Sequence, residues 1–454
     1  MRGRPRNNEE LVVEISSGNL PEKKTLSDRI RDSFSQVPLL AWLCGILVAV
    51  LLERFLGDPF TELLGLPKIP ALFGALTILR KPLLIPGTMA FLLLIYILPI
   101  IIVPRLCGPV LNRLAGWLFN VSPAVSVVIH LGLLYGILYL WSDISGYRLL
   151  TLKLTLIAVI VTLSLNVING YMGEFSCSHP GFMALGAYSA SIFTLLFFVD
   201  DKVFGSALLP EFLGPFLFPV ALIFGGLVAA IGAIAIAVPS FRTRGDYLAI
   251  ISLAFMFIVK SLIENLEFVR GPRGLSSQPN YVDLPTVFIW TVAAVWIINN
   301  FVRSTIGKAL NAVRDDEMAA DAMTVNTRRT KIVAFLFAAF WAGVAGGLFA
   351  HVLRYVNPST FGIQKLAEVL AMVYFGGLNS IYGSIVGAVS LSLLGEALRP
   401  LEIFKWIIIP LLLILVMIYR PTGLIAFKEF NVMNLIRPKE KTYETADLRK
   451  TDMS

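Results

Sequence analysis

Long apolar runs alternate with short polar breaks along most of this 454-residue chain. Residues 39–56, 83–103, 124–141, 149–169, 181–199, 219–238, 247–263, 285–303, 331–350, 366–378, 380–398 and 404–420 each read as an apolar segment. A helix of about 20 residues crosses a hydrocarbon layer roughly 30 Å thick. The pattern therefore predicts an all-α polytopic integral membrane protein with about 10–12 transmembrane helices, some of them short. Period-2 alternation is weak, which argues against a β-barrel.

One polar break is longer than the others. Gly307 to Lys331 carries Lys308, Arg314, Arg328, Arg329 and Lys331 with Asp315, Asp316, Glu317 and Asp321. At about 3 kcal/mol for each charge at bilayer depth, burying all nine in lipid would cost roughly 27 kcal/mol, so the stretch lies in water. It is nonetheless built to be helical. Ala309, Ala312, Ala319, Ala320 and Ala322 join Leu310, Met318 and Met323, and no Gly or Pro interrupts Lys308 to Arg329. Ile306, Leu310 and Val313 share one face, while Ala319, Ala322 and Met323 share another. The faces do not line up, so two short helices with a bend near Asp315 are expected.

Composition agrees with a membrane chain: 56% of residues are hydrophobic, 15% are charged and mean hydropathy is +0.77. Residues 1–38 read as a polar cytoplasmic tail and 428–454 as a mixed-charge cytoplasmic tail. With the segments alternating sides from an inner N-terminus, most Lys and Arg fall on the inside. The pattern thus predicts both termini in the cytoplasm and gives the net charge of +8 a topological meaning. Lys68, Arg80 and Lys81 fit poorly outside, and a short re-entrant or interfacial piece is expected at Ile69 to Leu79. The chain divides into an N-terminal transmembrane extension over 39–150, a transmembrane core over 151–427 and a charged helical loop over 304–330.

A second irregular stretch is Asn166 to Tyr188, NVINGYMGEFSCSHPGFMALGAY. Its glycines and proline break helices, and broken helices at membrane depth line cavities or are buried by protein. Asn166, Gly170, Tyr171, Gly173, Glu174, His179 and Phe182 are the candidates for a translocation path. The bland alternative is a short turn in which the glycines pack and His179 is structural. Arg244 and Asp246 are expected at the cytoplasmic mouth. For the glycines of 343–347, 376–377, 383 and 387, close helix packing is the better reading.

No enzyme signature is present: GxxxxGK[ST], HExxH and GxSxG are all missing. His130, His179 and His351 lie far apart, and Cys44, Cys107 and Cys177 show no metal spacing. Uphill transport by such a chain needs an ion gradient or a partner ATPase. Glu174, Glu368 and Glu396 are the acidic candidates for an ion-coupled carrier.

Three groups of residues resemble the permease subunits of ABC importers for branched-chain amino acids, in particular the M-type member. They are Asn166…Gly170-Tyr171-x-Gly173…Ser176-x-x-His179-x-x-Phe182…Gly186-Ala-Tyr188; Arg244-Gly-Asp-Tyr-Leu-Ala-Ile250 followed by Gly271-Pro-x-Gly-Leu-Ser276; and Gly307-Lys-Ala-Leu…Arg314-Asp-Asp-Glu-x-Ala-Ala320…Lys331, with Arg420-Pro-x-Gly-Leu424. The likeness covers residues 151–427. It implies that the charged loop is a coupling helix docking on a cytoplasmic ATPase, with Gly307, Arg314, Asp315, Asp316, Glu317, Ala319 and Ala320 in that role. The implied partners are a second homologous permease, two ABC ATPases that bind the ATP, and a periplasmic or extracellular amino-acid-binding protein. No cofactor is implied in this chain and no nucleic acid, and the implied location is the bacterial inner membrane. The family also handles urea, short amides and other amino acids. It often carries Gly where Thr324 and Ser178 stand here, and a small residue where Pro180 stands.

Overall fold

The structure is a computed structural model that describes residues 37–66, 84–200, 205–241, 247–399, 404–420, 422–427 and 429–436. Its helices, in chain order, are α1 (Leu39–Leu63), α2 (Ile85–Val121), α3 (Pro123–Ser142), α4 (Gly146–Met172), α5 (His179–Phe198), α6 (Glu211–Ser240), α7 (Tyr247–Asn265) and α8 (Leu284–Arg303). They continue with α9 (Thr305–Asp315), α10 (Glu317–Ala322), α11 (Thr327–Leu353), α12 (Ile363–Gly376), α13 (Ile381–Ala397), α14 (Lys405–Tyr419) and α15 (Val432–Ile436). Among the described residues, nine of these helices are long and apolar enough to cross a membrane: α1 to α8 and α11. The protein is an all-α polytopic membrane protein.

Each of the twelve predicted apolar segments falls on one helix. The largest difference is at α2, which runs on to Val121 instead of stopping at the predicted residue 103. Pro104 and Pro109 lie inside it. Prolines are tolerated within membrane helices because neighbouring groups and local adjustments of the helix re-satisfy the carbonyls they free. The expected piece at Ile69 to Leu79, most of both tails, and Arg244 and Asp246 lie outside the described residues.

Three helices form the centre. A Cβ added to Gly186 of α5 would stand 2.1 Å from the Gly343 carbonyl oxygen of α11. One added to Gly346 would stand 2.0 Å from the Met183 oxygen, and one on Gly225 of α6 would stand 2.7 Å from the Gly186 oxygen. Backbones approach this closely only where no side chain intervenes. Helix α4 lies against this trio and is itself largely buried.

Helices α1, α2 and α3 make a separate bundle beside the core. Glu53 of α1 and Arg148 of α4 join the two through an ion pair of 2.7 Å, with both side chains almost fully buried. Arg148 also lies over the Trp141 ring at 5.2 Å, and Arg54 pairs with Asp143 at 3.0 Å. The short α15 returns against α1 and α3, burying Ile436.

The two ends of the helices differ. At one, β1 (Leu275–Ser276) pairs antiparallel with β2 (Tyr355–Val356), matching Leu275 to Val356. Lys153 reaches the Val282 carbonyl there at 2.7 Å, which takes its ammonium out of lipid. The opposite end gathers the α4–α5 break, the α9–α10 loop, the turn between α12 and α13 and the segment after α14.

Candidate functional site

The loop end is assembled from short capped elements. The Ser304 hydroxyl accepts from Gly307 N at 3.4 Å and starts α9. A Cβ on Gly307 would stand 2.0 Å from the Val302 oxygen, so glycine is what lets α9 fold back on the end of α8. Leu310 and Val313 are buried, while Ile306, expected on the same face, is exposed. The chain turns at Asp316, one residue past the predicted bend. There Asp316 Oδ1 accepts from Met318 N at 2.9 Å and Ala319 N at 3.0 Å, capping α10.

Helix α10 ends in a paired reverse turn. Val325 N donates to Ala320 O and Thr324 N to Asp321 O, each at 3.1 Å. Thr324 takes the left-handed conformation this turn requires, with φ of +68°. Ala320 is buried, whereas Asp315, Glu317, Met318, Ala319, Ala322 and Met323 face outward. Two methionines and several charges on a small-residue helix give a surface suited to close docking.

Below this loop the α4–α5 break has the irregular backbone its sequence predicts. Helix α4 loosens into a π-turn over Val167–Met172 and stops at Gly173, whose φ is +76°. Residues 173–178 are non-helical. Their backbone is satisfied locally: Glu174 N donates to Ile168 O, Ser176 N to Asn169 Oδ1 and Cys177 N to Ser252 Oγ. Irregular chain at this depth is stable because such partners replace water. Burial pushes the Cys177 thiol above its ordinary pKa.

The candidate path residues separate into two groups. Asn166 is buried and binds the α12–α13 turn: its amide nitrogen donates to Ser384 Oγ at 2.6 Å, Ser380 O at 3.0 Å and Gly377 O at 3.4 Å. Its oxygen accepts from Asn379 N at 3.1 Å. Gly170 lies against the same side chain, and Tyr171 is buried beside it. His179 is wholly buried and edge-on to Phe182, which packs against Phe255 and Phe335, both at 5.5 Å. Gly173 and Glu174 instead face the loop.

The loop and the break are joined by two contacts that the sequence does not announce. Lys331 Nζ, at the start of α11, lies 2.7 Å from Glu174 Oε1 and 2.8 Å from Glu317 Oε2. Arg314 lies with its aliphatic stem on Gly173, where an added Cβ would come within 2.4 Å of Cγ. Its guanidinium pairs with Asp315 at 2.7 Å and sits 5.5 Å from the Phe427 ring centre. Phe427 belongs to a strap after α14 whose Leu424 N and Ile425 N donate to Phe375 O and Gly376 O at the end of α12. Sequence reading places Lys331 among the loop's charges and at the end of the third motif without a partner, and gives Phe427 no role. The available signal was a lysine four residues into an apolar helix, where an ammonium needs partners.

The family model described as branched-chain amino acid transport system / permease component matches residues 147–418. The chain belongs to that family. It is 33% identical over 307 residues to the high-affinity branched-chain amino acid transport system permease protein LivM of Escherichia coli (strain K12), covering 60% of this chain and 68% of that protein. The LivM of Salmonella typhimurium is 32% identical over the same shares. BraD of Pseudomonas aeruginosa, also a high-affinity branched-chain amino acid transport system permease protein, is 29% identical over 150 residues, 32% of this chain and 47% of that one. No solved structure matches the permease. The matched stretch holds α4 through most of α14, and with them both the break and the charged loop. The α1–α3 bundle precedes it.

Proposed function

We propose that this permease is the M-type membrane subunit of an ATP-driven importer of branched-chain, hydrophobic amino acids. The observation that carries the reading is the α9–α10 loop: capped, rich in small residues, outward-facing, and tied by Lys331 and Arg314 to the break between α4 and α5. Such a loop offers a docking surface to a cytoplasmic ATPase and a connection from it into the spans. The chain hydrolyses nothing itself. Two ATPase subunits bind the ATP, a second homologous permease completes the membrane unit, and a binding protein delivers substrate. Loop and termini face the cytoplasm of a bacterial inner membrane.

The acidic residues favour ATP over an ion gradient. Glu174 is held by Lys331, Glu368 by Lys365 at 3.0 Å and Glu396 by Arg399 at 3.5 Å. Each acidic candidate for ion coupling thus already has a cation of this chain as its partner. Reversing the charge in Glu317→Lys should abolish uptake of radiolabelled leucine while the protein still reaches the membrane. Wild-type uptake by that variant would overturn the docking role. Uptake of urea or short amides in place of leucine would keep the mechanism and change the substrate.

A further inference from the structure

The contacts of Lys331 reach beyond the docking surface. Its ammonium is buried, which demands compensation, and it receives two carboxylates where one would neutralise it. The two acids are not equivalent. Glu174 follows Gly173 in the break, and its side chain is 24% exposed. Glu317 opens α10 on the outer face, and its side chain is 47% exposed. Glu317 therefore belongs to the docking face and Glu174 to the break, and Lys331 is bonded to both.

Lys331 also stands one helical turn before Phe335, whose ring packs on Phe182 of α5 and on Phe241 at the end of α6. A pull on Lys331 is thus a pull on the central trio. We infer that Lys331 is a positioning residue for transport: it passes displacement of α10 to the α4–α5 break through its shared contact with Glu317 and Glu174. This rests on the docking reading of the α9–α10 loop.

The test uses the whole complex, purified from native membranes and reconstituted in proteoliposomes with its binding protein. Leucine uptake is measured per ATP hydrolysed, and bound ATPase is measured alongside. Lys331→Met leaves two carboxylates facing each other and should lower uptake per ATP by about ten-fold or more with the ATPases still bound. Lys331→Arg should recover most of the loss. Glu174→Gln should lower the ratio in the same direction, and the double variant Lys331→Met with Glu174→Gln should be no worse than the poorer single. Should Lys331→Met fail to fold, Glu174→Gln and Lys331→Arg carry the same decision.

A wild-type ratio in Lys331→Met or in Glu174→Gln would overturn the inference. Loss of bound ATPase from Lys331→Met would also overturn it, by making the residue part of complex assembly instead of transmission. Failure of the docking reading looks different: the ATPases would stay bound when residues 315–322 are replaced by a Gly/Ser linker.

Discussion

Asn166 gives the sharpest test of how the core is held. Its side chain is 1% exposed and makes three short hydrogen bonds and one longer one to the α12–α13 turn. Side-chain hydrogen bonds inside membrane bundles contribute about 0.6 kcal/mol each, and those in water-soluble cores about 1 kcal/mol. Asn166→Ala removes about 2–3 kcal/mol on that scale, and leaving Asn379 N without its acceptor adds about 1–3 kcal/mol. In a chain of this length, each kcal/mol moves the midpoint by roughly 1 °C, so a fall of about 3–6 °C is expected. Asn166→Asp is the more telling change. It keeps the shape and the acceptor for Asn379 N but turns a carboxylate toward the oxygens of Ser380, Gly377 and Ser384. If hydrogen bonding sets the energy, the isosteric aspartate should be at least as damaging as alanine. If packing volume sets it, aspartate should be nearly neutral. Thermal loss of the monodisperse peak in detergent measures both, and an aspartate variant within about 1 °C of wild type would refute the reasoning.

Other expected outcomes follow from single contacts. Glu53→Leu strands the buried Arg148 guanidinium and should cost about 3–5 kcal/mol, while Glu53→Leu with Arg148→Leu should regain most of it by the same thermal assay; a double variant no better than the single would count against the pair. Gly186→Val must part α5 from α11 by about 1 Å and should lower stability by at least about 1–3 kcal/mol or prevent folding, whereas wild-type melting would contradict the backbone contact. Thr324→Gly relieves a left-handed β-branched residue worth about 1–2 kcal/mol, against glycine's extra chain entropy of about 0.5–1 kcal/mol, so melting should rise slightly; a fall would refute the strain. The Cys177 thiol is raised by burial, so the reactive thiolate is scarce at neutral pH. Maleimide labelling followed by mass spectrometry should be slow at pH 7 and quicken as pH climbs past the ordinary thiol value, and complete labelling at pH 7 would argue against burial.

What the sequence discloses here is mostly what short range decides. Apolar runs locate the helices because lipid tolerates little else, and the bend at Asp316 is legible because its carboxylate caps the next helix within three residues. The glycines of α5, α6 and α11 announce close packing without naming their partners. Hidden from the sequence are contacts closed across long separations. Glu174 meets Lys331 only once α4, α5 and α11 are packed, and Arg314 finds Phe427 only after α14 has returned. The π-turn at 167–172 is hidden as well; it starts directly after Asn166, which is held by a turn more than two hundred residues later. The expected face of Ile306, Leu310 and Val313 is right where the fold covers it and wrong at Ile306, which lies beyond the edge of that cover.

The glycine contacts at the centre have a mechanical consequence. Where there is no room for even a Cβ between one helix and the next helix's carbonyl, a side chain added to either must push the two apart. Helices α5, α6 and α11 are therefore packed backbone to backbone as one block. At one end of this block lie the non-helical residues 173–178 and the short helices α9 and α10 within residues 304–326. The ammonium of Lys331 touches both, through Glu174 and Glu317.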